Sequence, residues 1–166
     1  MPILKIPLPR TKTPAQAQKR VLKKLLKRAR YTAFGQKFGF ESILQNKRRF
    51  EKQFQTSVPV YNYNKIYNEW WHKTLEGEQD ICWPGKIKFF ALSSGTSEAA
   101  SKYIPITNDL LKGNKKIMVK QLISLLNYKD VPFISISKGW LTLGGSTDLQ
   151  KGPGYYSGDL SGITAK

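Results

Sequence analysis

The sequence predicts an α/β fold, helical in its first half and strand-bearing in its second. Three observations carry that prediction. Apolar residues recur at helical spacing between Val21 and Ala29; branched and aromatic runs gather after "WPG" at residues 83–85; and a long helical stretch from Asn108 separates two sets of extended segments. The chain divides on this basis into residues 1–85, mainly helical, and residues 86–166, an α/β layer.

The first helix opens at Thr13, a capping residue followed by Pro14 in the first turn. Val21, Leu22, Leu25, Leu26 and Ala29 are expected on one face, and Lys19, Arg20, Lys23, Lys24, Lys27 and Arg28 on the other. "YTAFGQKFGFESI" then breaks at Gly35 and Gly39, with Phe34, Phe38 and Phe40 as aromatic anchors that pack the helix onto something larger. "KRRFEKQFQ" reads as a short amphipathic helix ending before "TSVPVY". Asn64 is the expected cap of "KIYNEWWHKTLEGE", which Gly77 ends. After it, "KIKFFAL" and "KYIPIT" read as strands, Asn108 to about Leu126 as a helix, and "PFISIS" and "GWLTLGG" as two more strands. The last stretch, from Gly144, is turn-rich and offers no obvious terminating element.

Composition narrows the function classes. With 166 residues, 40% of them hydrophobic, the chain has the means to bury roughly 70% of its unfolded surface as one domain. A single cysteine, Cys82, precludes an internal disulfide, and a single histidine, His72, leaves too few soft ligands for zinc. The expectation is a soluble protein of a reducing cytoplasm: no apolar run reaches membrane-spanning length, and the proline-bearing N-terminus lacks a secretory core. No membrane partner is expected. Neither Cys82 nor His72 has the neighbours a catalytic group needs, so no catalytic residue is assigned.

The net charge of +17 lies mostly in the first 60 residues, which hold 15 Lys and Arg against 2 acids. A docked surface helix with a solvated basic face accounts for it; a nucleic-acid-binding module in residues 10–49 is the alternative. The density of lysine argues against a transit peptide.

The chemistry concentrates in "FFALSSGTSEAASKYIPIT", residues 89–107. Ser93, Ser94, Thr96 and Ser97 place four hydroxyls around Gly95 after an apolar strand, and Lys102 follows. Such a turn presents backbone amides and hydroxyls to an anion, and a lysine adds full charge, which is the chemistry of phosphate binding. The same composition also suits an ordinary polar turn, and neither G-x-x-x-x-G-K-[ST] nor G-x-G-x-x-G occurs.

"SSGTSEAASKYIPIT" resembles the first ATP-binding motif of the GH3 acyl acid amido synthetases, an auxin-responsive family with many bacterial members in the acyl-adenylate-forming superfamily. "TAFGQKFGFESI", "VPVYNYNKIY", "GEQDICWPGKIKFFALSSGTS", "LTLGGS" and "GDLSGI" extend the likeness, in that order, over nearly the whole chain. The resemblance implies an ATP-dependent ligase that adenylates a small carboxylic acid, releases pyrophosphate and passes the acyl group to an amine or amino acid. It implies Ser93, Ser94, Gly95, Thr96 and Ser97 as the phosphate loop, with Lys102 as its cation. It also implies Mg2+, with metal ligands outside this chain. The later family motifs and the mobile C-terminal domain would lie beyond Lys166, so the resemblance implies an incomplete part of the large N-terminal domain, inactive alone. An inactive remnant with no ligand is the further alternative. Glu98 departs from the wider superfamily, which often has glycine there, and a carboxylate beside phosphates is unfavourable unless it points to solvent.

Overall fold

The computed structural model describes residues 13–93, 101–125 and 145–165. The chain divides between residues 87 and 88 into two compact units.

In the first unit, α1 (Pro14–Ala29) begins with a capping box: Thr13 Oγ1 accepts from the Gln16 amide, and Gln16 Oε1 accepts from the Thr13 amide, each at 3.3 Å. Lys27 and Arg28 in its last turn face the negative end of the helix dipole. One buried hydroxyl then links two helices. Thr32 Oγ1 donates to the Ala29 carbonyl at 2.7 Å and accepts from the Gly35 amide at 3.1 Å, closing α1 and capping α2 (Ala33–Lys37) together. α3 (Phe40–Gln45) starts from Gly39, whose φ of +62° is the left-handed conformation glycine favours.

α4 (Phe50–Ser57) completes a core of Leu26, Ala29, Phe40, Ile43 and Phe50, with Phe34 and Phe38 packed against it. The Phe34 ring lies 4.6 Å from Phe38 and 5.0 Å from Trp70, so the expected aromatic anchors do pack the helices together. Lys19 Nζ of α1 reaches Glu51 Oε1 of α4 at 2.6 Å.

Two expectations for this unit are corrected. Val21 and Leu25 are exposed, because the core touches α1 along Leu22, Leu26 and Ala29; the pair sits on the shoulder of that stripe. The next helix is capped by Asn62, whose Oδ1 accepts from the Lys65 amide at 2.9 Å, and Asn64 lies inside the first turn. That helix runs as α5 (Tyr63–Ile66), a π-helical turn (Tyr67–Trp71) and α6 (His72–Leu75), and Gly77, at φ +97°, follows its end.

The second unit is built on a four-stranded sheet of order β2-β1-β4-β3. β1 (Phe89–Ser93) pairs antiparallel with β2 (Lys102–Ile106) and parallel with β4 (Tyr155–Gly158), and β3 (Gln150–Gly152) forms a hairpin with β4. α7 (Asn108–Leu125) lies between β2 and β3 in the chain, and α8 (Leu160–Ala165) follows β4.

Strand alternation gives β1 two covered faces. Ala91 packs with Ile106 and Ile163 on one side, and Phe90, 1% exposed, meets Tyr103 and Tyr155 edge-on on the other. The turn-rich tail is therefore a sheet hairpin with a closing helix. Pro153–Gly154, with Gly154 at φ +83°, makes its turn, and the strands are too short and polar to signal themselves by periodicity. "PFISIS" and nearly all of "GWLTLGG" lie outside the described residues. On α7, Leu110, Ile117, Met118, Val119 and Ile123 are exposed. Among the described residues, no helix is long and apolar enough to cross a membrane.

Candidate functional site

Ser93 closes β1, Lys102 opens β2, and the two are cross-strand partners. The stretch between them therefore leaves and re-enters the sheet at one rung of the ladder, at the carboxyl end of β1. Ser94, Gly95, Thr96 and Ser97, with Glu98, lie outside the described residues. Of the six predicted phosphate-binding residues, the structure thus describes Ser93 and Lys102, and it brings those two together.

β4 runs parallel to β1, with Ala91 opposite Gly158, so both strands point their carboxyl ends the same way. A cavity of about 520 Å³ opens there, with Ala91, Ile104 and Leu160 as apolar walls and Ser93, Ser101 and Asp159 as polar groups. The carboxyl ends of parallel strands are where open α/β sheets bind their ligands.

Among the described residues, Asp159 is the ionisable side chain in that lining, and sequence reasoning missed it. Ser161 donates to its Oδ1 from the backbone amide, at 2.7 Å, and from the hydroxyl. The Ser161 hydroxyl, then its amide, hold the Asp159 carboxyl below the usual carboxylate range. The same hydroxyl accepts from the Gly145 amide. A Cβ at Gly145 would collide with the Asp159 carboxylate, and one at Gly162 with the Ser146 carbonyl. Gly145–Ser146 and "GDLSG" are thus two halves of one close approach. The signal in the sequence was an aspartate two residues before a serine, which announces a helix cap and no more.

His72 and Cys82 take no part in this cavity. His72 Nδ1 lies 3.0 Å from the Tyr67 carbonyl within its own helix, and burial pushes the Cys82 thiol up to about 12. Among the described residues, no group of three or more His, Cys, Asp or Glu could hold a metal ion. Asp159 with Ser93 and Ser101 supplies one carboxylate, which fits at most a part of a magnesium site shared with phosphate oxygens.

A mixed sheet flanked by helices, with a cleft at its parallel carboxyl ends, defines an α/β protein with a candidate ligand site. More specifically, the chain belongs to the GH3 family, matching the GH3 family N-terminal domain over residues 8–166. It is 27% identical over 142 residues to jasmonoyl–L-amino acid synthetase JAR6 of Nicotiana attenuata, and 25% identical over 142 residues to JAR4 of the same species. Each match covers 81% of this chain, but 23% of JAR6 and 24% of JAR4. The solved structure of GH3.15 acyl acid amido synthetase is similar at a TM-score of 0.65 and 25% identity, over 93% of this chain and 26% of that one. The chain thus spans about a quarter of the length of these relatives.

Proposed function

We propose that this chain supplies the phosphate-holding part of an ATP-dependent, acyl-adenylate-forming ligase that joins a small carboxylic acid to an amine or amino acid. The observation that carries the reading is the Ser93–Lys102 rung, which sets "SSGTSEAASK" at the carboxyl end of β1 in a GH3-family chain. JAR6, JAR4 and GH3.15 are named as synthetases of acyl–amino acid or acyl acid amide products, which supports the substrate classes. The single cysteine suits a reducing cytoplasm.

In adenylation the acid's carboxylate oxygen attacks the α-phosphate and pyrophosphate leaves. The amine then displaces the nucleotide from the acyl carbon. Ser93, Ser94, Thr96 and Ser97 donate hydrogen bonds to phosphate oxygens, Gly95 lets the backbone approach them, and Lys102 balances the charge that grows on the leaving group. Mg2+, when bound, neutralises phosphate charge through ligands that lie outside this chain. Catalysis by this segment is positioning and electrostatics, with no nucleophile or base among its residues.

The test uses a full-length relative carrying this segment. Thr96→Ala and Lys102→Ala each remove a hydrogen bond to charged phosphate, worth about 1.5–3 kcal/mol, and should lower ATP–pyrophosphate exchange roughly ten- to a hundredfold. Gly95→Val should be worse, since a branched side chain blocks close backbone approach. Near wild-type exchange in all three folded variants would return the stretch to an ordinary polar turn.

A further inference from the structure

On the helical unit, positive charge and exposed apolar area lie side by side. Leu22, Leu26 and Ala29 turn one face of α1 to the core. Val21 and Leu25, one position back from that row, are 56% and 46% exposed, and the exposed Lys24 and Arg28 complete their i, i+3, i+4, i+7 stripe. Arg20 and Lys27, farther round the helix from the core, are exposed as well. Little charge opposes them: the acids of the first 60 residues are Glu41 and Glu51, and Lys19 holds Glu51 at 2.6 Å. Tyr31, directly after α1, is 62% exposed, with the Arg30 guanidinium 4.4 Å from its ring centroid.

A partner that complements this surface carries negative charge and offers apolar depth. A nucleic-acid backbone has the charge, but its phosphates are met by cations and hydrogen-bond donors and leave Val21 and Leu25 unused. An anionic bilayer has both: its headgroups draw in Lys and Arg, aliphatic side chains enter the acyl boundary, and tyrosine settles at headgroup level. We propose that α1 docks the chain on a surface of anionic phospholipid, with Val21 and Leu25 entering the interface and Arg20, Lys24 and Lys27 meeting the headgroups. The core row stays buried, so the contact is shallow and reversible. The expectation of no membrane partner rested on span length, and lying on a bilayer needs no spanning helix. The proposal does not depend on the ligase reading.

Co-sedimentation of the whole chain with vesicles of phosphatidylcholine, alone or mixed with phosphatidylserine, tests it, with a short DNA duplex as the rival polyanion. The mixed vesicles should bind the chain, less so as salt rises, and phosphatidylcholine alone should not. Lys24→Glu with Lys27→Glu should lower binding to the mixed vesicles at least about tenfold. Val21→Ser with Leu25→Ser should lower it roughly tenfold while leaving any DNA binding unchanged. All four positions are exposed, so the fold should persist, as urea melts would check. Leu25→Gln alone, a good helix former, gives the same reading if the serine pair unfolds. Absence of binding to the mixed vesicles, equal binding to phosphatidylcholine alone, or binding that neither pair of substitutions changes would overturn the proposal. So would loss of vesicles and DNA alike in the glutamate pair with no loss in the serine pair, which would make the face a site for nucleic acid.

Discussion

Cys82 shows how a potentially reactive side chain is made inert by its surroundings. It sits in "DICWPG", a loop tied down on both sides: the Asp80 carbonyl accepts from the Ala33 amide at 2.8 Å, and Asp80 Oδ1 accepts from the Gly85 amide at 2.7 Å. Burial disfavours its thiolate and raises the pKa to about 12, against the opposing effect of a Trp71 side-chain hydrogen bond. Alkylation by iodoacetamide at pH 8 should therefore be slow in the native chain and fast in urea, as read by mass spectrometry. The linked effect on stability has a definite sign. The unfolded thiol loses its proton near its ordinary value of 9.0 while the folded one keeps it, so stability should fall as pH rises from about 9 towards about 12. Cys82→Ala should lack that share of the decline in urea-denaturation series. Native labelling as fast as in urea would show that the thiol is not shielded. The sequence assigns neither Cys82 nor His72 a catalytic role, and neither is among the described residues that line the cavity. Asp159 was not legible in the sequence, since its place in the cavity comes from the parallel pairing of β1 with β4, a contact between distant segments.

At the scale of elements, the two glycines of "YTAFGQKFGF" do different work. A Cβ at Gly35 would strike the Ala29 carbonyl, so Gly35→Ala has to separate α1 from α2 and break the Thr32 bridge. A loss above about 3 kcal/mol is expected, the range of severe packing disruptions. Gly39 has open space around it, its nearest neighbour being Ser42 Cβ at 4.0 Å, and only its left-handed φ opposes a side chain. Gly39→Ala should therefore lose about 1–2 kcal/mol, the strain of that conformation alone. Urea midpoints at constant m-value separate the two; equal losses would mean that the close approach at Gly35 is not real. Helices were legible because caps and the 3.6-residue period are local signals: Thr13, Pro14 and the Phe34–Phe38–Phe40 cluster announced themselves. Val21 and Leu25 misled, since which edge of an apolar stripe is covered depends on the neighbouring helices. β3 and β4 were illegible for a related reason: at 3 and 4 residues they draw their stability from the sheet they join.

For the whole molecule, the charge of +17 raises the question of a polyanionic partner. Lys19 faces Glu51, Lys23 is half-buried, and Arg20, Lys24, Lys27 and Arg28 are exposed. Reversing Lys23 and Lys27 to Glu should change stability by no more than about 0.5 kcal/mol, as surface substitutions do. Tight duplex-DNA binding at physiological salt, lost on that reversal, would instead make the face a nucleic-acid interface. The sheet order also carries a consequence in time. The hydrogen bonds of the helical unit are complete soon after Asp80 and Ile81 reach Ala33 and Phe34, 47 residues behind them, whereas the Phe89–Tyr156 rung waits for a strand roughly 65 residues further along, about 3–13 seconds at ribosomal rates of about 5–20 residues per second. During that interval β1 has β2 on one side and an open edge on the other. The nascent chain is then most exposed to mispairing, and a trigger-factor-like holdase would have its greatest effect on yield between synthesis of Ile106 and of Gly158.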